Sequence, residues 1–167
     1  MIKLKELLED INQYKIYIDM DGVLTNFDKS FMILSNGIPP NEYENKYGSK
    51  EFWNKIDAEG INYWTEMEWM PNAKKLWQFI RPYNPNVLSA PSKNPLCIKG
   101  KRIWCTNELK MSTNVIIDKN KQKYATPSSI LIDDLSKNIN AWKAAGGIGI
   151  LHTSPEKTIS ILKNILN

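Results

Sequence analysis

YKIYIDMDGVLTNFD, residues 14–28, is an apolar run that ends in two aspartates one residue apart, with Gly22 directly behind them. The run Lys15–Met20 has the length and β-branched content of a buried strand. Asp19 and Asp21 then fall at its carboxyl end. Two like charges held that close need an opposite charge, or they become a liability.

Working outward, the rest of the chain supplies further strands of the same kind. NVLSA contains a short apolar strand over Asn86–Ser89, NVIID a third, SSILIDD a fourth over Ser129–Asp134, and IGIL a fifth. Helical stretches lie between them. PNAKKLWQFIRPY is expected to open on Pro71 as a first-turn proline. NPLCIKGKRIWCTNEL has Asn94 as its cap. LSKNINAWKAAGG is closed by glycine, and SPEKTISILKNIL has Ser154 as cap and Pro155 in its first turn. Before strand one, MIKLKELLEDINQ reads as an amphipathic charged helix without the apolar core of a signal peptide. Strands alternating with helices predict an α/β fold, a parallel sheet with helices on both faces.

Residues 23–70 break that rhythm. They are polar and aromatic-rich, with short helical pieces and no convincing strand. They are expected to form a small helical cap inserted after strand one, with 1–22 and 71–167 as the core.

The 167 residues fit one domain with a modest insertion, and the net charge of +4 favours small anions without arguing for nucleic acid. No apolar run approaches the roughly 20 residues of a membrane span. Cys97 and Cys105 share one expected helix, about 12 Å apart along it and too far for a disulfide. A reduced, cytoplasmic protein is the expectation.

In open parallel sheets ligands bind beyond the carboxyl ends of the strands. Asp19 and Asp21 end strand one, Ser89 ends strand two, and Asp133 and Asp134 end strand four. Lys119, Lys121 and Lys123 lie between strands three and four. One Asp-x-Asp at a strand end is ordinary turn chemistry. Two acidic pairs at one sheet edge, with a serine and a lysine loop beside them, point instead to a cation. Magnesium suits the set, because it is hard, takes oxygen ligands and keeps room for a substrate phosphate. Other features read as structural. His152 ends strand five, Trp77, Trp104 and Trp142 sit at core helical positions, and GGIG at 146–149 precedes a strand and is no dinucleotide fingerprint.

The order DMDGVLTNF, VLSA, a lysine and ILIDD resembles the four motifs of the haloacid dehalogenase superfamily of phosphatases, over residues 14 to 152. The 5'(3')-deoxyribonucleotidase branch and its phage and bacterial relatives are more similar still. That likeness rests on Phe27, EFW at 51–53, MPNAKKLW at 70–77, LSAP at 88–91, CIKGKRIW at 97–104 and ILIDDLSKNINAWKAAGG at 130–147. The resemblance implies that Asp19 is a nucleophile forming an aspartyl-phosphate and that Asp21 is the acid and base. Magnesium would be held by Asp19, the Asp21 backbone carbonyl and Asp134, with Asp133 acting from behind. Ser89 and one lysine would bind phosphoryl oxygens. Family spacing favours Lys121, with Lys119 and Lys123 as alternatives in a segment longer than that of the animal enzymes. Lys101 resembles a second basic substrate contact, though an exposed helix lysine is an equal reading. Phe27, Phe52, Trp53 and Trp64 are expected to face a nucleobase.

The implied activity is a magnesium-dependent phosphomonoesterase acting on a small phosphate monoester, a 5'-nucleotidase preferring deoxynucleotides. The alternative is a phosphatase of another small ester or of polynucleotide ends. A signalling receiver domain fits less well, since it would place its paired acids first and its lysine last.

Overall fold

The computed structural model describes residues 13–166. The expected N-terminal helix lies almost wholly outside the described residues. Among the described residues five strands form one parallel sheet: β1 (Lys15–Ile18), β2 (Asn86–Ser89), β3 (Val115–Ile117), β4 (Ser129–Asp133) and β5 (Ile148–Leu151), in the order β3-β2-β1-β4-β5. The strand order reverses at β1, which pairs with β2 through Ile18 and Val87 and with β4 through Ile18 and Ile132. Asp19, Ser89 and Asp133 therefore reach one edge of the sheet on neighbouring strands.

The strands are apolar on both sides because both sides are covered. On one face Ile16, Ile18, Val87, Ile130 and Ile132 pack with Leu76, Trp77, Ile80 and Leu162. Those partners come from α5 (Ala73–Ile80) and α8 (Pro155–Leu166). On the other face Tyr17, Leu88 and Leu131 pack with Ile139 and Trp142 of α7 (Ser136–Ala144). Tyr17 and Trp142 meet edge to face, with ring centroids 5.2 Å apart.

Between β1 and α5 lie four helices: α1 (Phe27–Leu34), α2 (Pro40–Tyr47), α3 (Ser49–Ala58) and α4 (Asn62–Thr65). Phe31, Tyr43, Phe52, Ile56, Tyr63 and Trp64 are buried among them. The chain enters and leaves this segment through a narrow neck. Asn26 N–H donates to the Glu68 carbonyl, Met70 N–H donates to the Leu24 carbonyl, and Thr25 bridges Trp69 in antiparallel sense. The segment also packs on α6 (Pro95–Trp104). A Cβ on Gly100 would lie 2.5 Å from the Trp64 Cβ, so only glycine lets α4 and α6 approach this closely. Trp104 is fully buried and its indole N–H donates to the Met67 carbonyl at 2.8 Å.

Two boundaries differ from the sequence expectation. The helix expected from Pro71 begins at Ala73 instead, because Asn72 takes a left-handed conformation (φ 61) that turns the chain first. It gives way after Ile80 to a tighter turn, Arg81–Tyr83, containing Pro82, which has no N–H to continue the ladder. The helix expected over 94–109 is α-helical to Trp104 and continues as a wider π-turn over Cys105–Leu109. Cys97 and Cys105 are both buried and unpaired. Among the described residues no helix is long and apolar enough to cross a membrane.

Candidate active site

The site begins where β1 ends. Asp19 N–H still donates to the Ile132 carbonyl, extending the ladder by one residue. The chain then folds back on itself, and the Met20 carbonyl accepts the amides of Val23, Leu24 and Thr25. Gly22 serves this turn in two ways. Its φ of 82 lies in the left-handed region, and a Cβ there would stand 2.2 Å from Asp134 Oδ2. The turn keeps Asp19 and Asp21, two residues apart, at the same sheet edge.

Asp19 is buried. Its Oδ1 accepts from its neighbour Met20 N–H at 2.8 Å and from Lys121 Nζ at 2.8 Å. Lys121 also donates to Asp133 Oδ2 at 2.6 Å. Of the three loop lysines, Lys121 alone turns inward. Lys119 is exposed, and Lys123 pairs with Asp118 at the surface. The turn Lys121–Tyr124 is anchored by Asp118, which accepts from Asn120 N–H at 2.9 Å and from the Tyr124 hydroxyl at 3.1 Å.

Asp133 is fully buried and its oxygens are taken up. Besides Lys121 it accepts from Leu135 N–H at 2.9 Å and from the Asn138 side-chain amide at 2.9 Å. It thus fixes the lysine and the turn from β4 into α7. Asn138 escaped the sequence reading, because one asparagine in a helix's first turns carries no signal of its own.

Lys101 departs from one of its two expected readings. It is buried, not an exposed helix lysine. Its Nζ donates to Asp21 Oδ2 at 2.7 Å, Ser89 Oγ at 2.8 Å and the Ala90 carbonyl at 2.9 Å, and lies 5.3 Å from the centre of the Trp64 ring. A signal for this was present. Cys97, Gly100, Lys101 and Trp104 share one helical face, and all are buried. Asp21 Oδ1 accepts from the Thr25 hydroxyl at 2.9 Å, so both of its oxygens are oriented.

The local electrostatics are short of positive charge. Burial pushes the Asp19 carboxyl up to about 7; Lys121 pulls it down, while Asp133 and Asp21 push it further up. Burial, then Asp133, lifts Asp134 to about 6. Burial works against the charge on Lys101, but Asp21 foremost holds its pKa above the ordinary lysine value; Asp19 and Asp133 do the same for Lys121. Asp19, Asp133 and Asp134 each offer a carboxylate oxygen within 4.8 Å of the others. A hard divalent cation fits this all-oxygen set. Asp133 already accepts three hydrogen bonds, which leaves Asp19 and Asp134 with more donor capacity, and among the described residues no backbone hydrogen bond falls on the Asp21 carbonyl. His152 stands apart: its Nδ1 is 2.8 Å from the Thr158 hydroxyl, and burial holds its pKa below the ordinary value.

A cavity of about 520 Å³ opens over these groups, walled by Phe27, Trp53 and Trp64 on one side and by Leu135 and Asn138 on the other. Asn26, Asp28, Met70 and Ser92 also line it, none singled out by the sequence. Phe52, expected to face a nucleobase, does not line it. It is buried behind Phe27, its ring centroid 4.5 Å from that of Phe31 and 6.3 Å from that of Phe27. The EFW stretch is helical in α3, so Phe52 and Trp53 face different directions and only Trp53 reaches the opening.

Solved structures share this fold. A hydrolase from Streptococcus pneumoniae TIGR4 is similar at TM-score 0.59 and 18% identity, over 90% of this chain and 99% of that one. A haloacid dehalogenase family enzyme from Bacteroides thetaiotaomicron, solved as a magnesium complex, is similar at TM-score 0.55 and 15% identity, over 91% and 99%. L-2-haloacid dehalogenase from Xanthobacter autotrophicus is similar at TM-score 0.54 and 12% identity, over 90% and 82%. No family model matches the chain, and no curated protein matches it in sequence. The fold is that of the haloacid dehalogenase hydrolases.

Proposed function

We propose that the protein is a magnesium-dependent phosphomonoesterase that works through an aspartyl-phosphate on Asp19 and acts on deoxynucleoside 5'-monophosphates. The observation that carries this reading is the convergence on one cavity of Asp19, Asp21, Ser89 and Asp134, from three strand ends, and of Lys121, from the loop after β3. The core of residues 1–22 and 71–167 supplies the chemistry, and residues 23–70 act as a cap.

Asp19 attacks through the oxygen that neither Met20 nor Lys121 engages. Its bond to phosphorus forms as the ester oxygen leaves with a proton from Asp21. Asp21 then takes a proton from water, the water oxygen attacks phosphorus, and the acyl phosphate splits to inorganic phosphate and the free Asp19 carboxylate. Ser89 and Lys121 stand where negative charge grows on the phosphoryl oxygens. Asp19, Asp134 and the Asp21 carbonyl would hold magnesium, which supplies charge neutralisation to the phosphoryl group. Asp133 keeps Lys121 and the β4–α7 turn in place.

Support for a nucleotide comes from the aromatic side chains that line the cavity, the half-buried Phe27 and Trp53 beside the nearly fully buried Trp64. Base stacking on such side chains contributes about 1–3 kcal/mol per base in single-stranded complexes. A ribose 2'-hydroxyl buried there without a partner would cost about 1–3 kcal/mol. The two buried, unpaired cysteines accord with a reducing, cytoplasmic setting. Phosphate release measured over deoxy- and ribonucleoside monophosphates and sugar phosphates tests the proposal. Deoxynucleotides are expected to rank first; a preference for sugar phosphates would leave only the phosphatase.

A further inference from the structure

Beside the main cavity lies a second one of about 350 Å³, and Trp53 and Ser92 line both. Its walls come from one face of α3, including Ser49, Lys50, Trp53 and Asp57, and from Ser92, Lys93 and Asn94 of the loop after β2. None of the site's four aspartates lines this compartment.

Its chemistry is that of an anion site. Lys50 and Lys93 are exposed, come from opposite walls, and neither is paired with a carboxylate among the described residues. Ser49 opens α3 behind Gly48 with no side-chain cap, and Glu51 is the acid of that first turn. Asp57, the acid in the wall, accepts from the Asn94 side-chain amide at 3.0 Å, which ties α3 to the loop, and the two lysines still leave the lining with a net positive charge. A mononucleotide held at Asp19, with its base against Trp53, leaves this compartment for whatever lies further out on the substrate.

We infer that the preferred substrate carries a second phosphate, which the compartment between α3 and the β2–α6 loop binds through Lys50 and Lys93. This rests on the phosphatase reading of the Asp19 site and extends its substrate from the monophosphates to nucleotides phosphorylated at two places. Trp53 divides the two compartments, with the nucleoside on one side and the second phosphate on the other.

The test compares deoxyadenosine 5'-monophosphate with deoxyadenosine 3',5'-bisphosphate and a 5'-phosphorylated deoxydinucleotide. In the wild type, kcat/KM for at least one probe with a second phosphate should exceed that of the monophosphate by roughly tenfold, the effect of one charge-assisted hydrogen bond. The Lys50→Ala, Lys93→Ala double variant should lose that preference through KM, and arginine at both positions should restore it. The same comparison by calorimetry on Asp19→Asn protein reads binding without turnover, so a failure of the phosphatase reading stays separate. The inference is overturned if neither probe outperforms the monophosphate in both assays, or if the preference survives in the double variant.

Discussion

Lys101 and Asp21, 80 residues apart in sequence, meet at 2.7 Å inside the protein. The lysine spends its remaining donors on Ser89 and the Ala90 carbonyl, so one ammonium ties the end of β1 to the end of β2. On the proposed mechanism it positions Asp21, and it is held against the Trp64 ring. Lys101→Met, which keeps the stem and removes the charge, should lower kcat by about 10²–10⁴-fold, the range for a general acid or base that has lost its orientation. Steady-state kinetics should show the loss in kcat with pH dependence altered, and unfolding should remain cooperative. A kcat within twofold of wild type would contradict the role.

Asp19→Asn should leave no measurable turnover, since an amide cannot form the acyl phosphate. Asp21→Asn should be severely impaired on poor leaving groups and retain phosphorylation by p-nitrophenyl phosphate, whose leaving oxygen needs no proton. Rapid-quench detection of a phosphorylated protein separates the two variants.

The sheet, its strand ends and most of the acidic site were legible because buried parallel strands are written as short apolar runs and the charged residues stand where they stop. Ser89, Asp133 and Asp134 could be placed by that rule alone. Lys101 was ambiguous because a lysine on an apolar helical face reads as exposed until its partners are known, and they lie on two other segments. Phe52 was misplaced for a related reason. Within a helix, adjacent aromatics point about 100° apart, and the sequence does not say which of the pair faces the opening. Lys121 is favoured only by the resemblance to the family's spacing, and the Asp118-anchored turn that aims it is visible only in three dimensions.

That turn makes a sharp prediction. Lys121→Ala should cut turnover by about 10²–10³-fold, the loss typical of removing one preorganised donor from developing charge. Lys119→Ala and Lys123→Ala should stay near wild type, because neither side chain reaches the acids. Parallel phosphatase assays on the three variants decide it.

Magnesium should be required and reversibly removed by a chelator, and Asp134→Ala should weaken its binding in calorimetry more than Asp133→Asn does. The pH dependence has a definite sign. Asp19 and Asp134 are raised from 3.8 to about 7 and about 6. A raised acid pKa contributes stability below the unfolded value, lost as pH climbs through the folded one. The metal-free protein should therefore lose stability from this pair between about pH 4 and 7. Magnesium needs the carboxylates ionised, so its gain in Tm should be larger at about pH 7.5 than at about pH 5.5. Equal gains at the two pH values would count against Asp19 and Asp134 as ligands.

Trp53 and Phe52 are neighbours in sequence with opposite surroundings, and that contrast can be measured. Trp53 is half-buried and borders the cavity, while Phe52 is 5% exposed among Phe27, Phe31 and Trp53. Trp53→Ala should lower kcat/KM on deoxynucleoside monophosphates by roughly 5–150-fold, the equivalent of about 1–3 kcal/mol of stacking. It should change p-nitrophenyl phosphate hydrolysis much less, because that substrate has no base to stack. Phe52→Ala opens a hole in the packing and should cost about 3–5 kcal/mol of stability. Its activity should fall on both substrates together as the cap loosens, with a lower urea midpoint. If Trp53→Ala lost both activities in parallel, the wall would be structural and the case for a nucleobase would go with it. If Phe52→Ala instead kept full stability and lost only nucleotide turnover, the ring would have to reach the substrate, against its position behind Phe27.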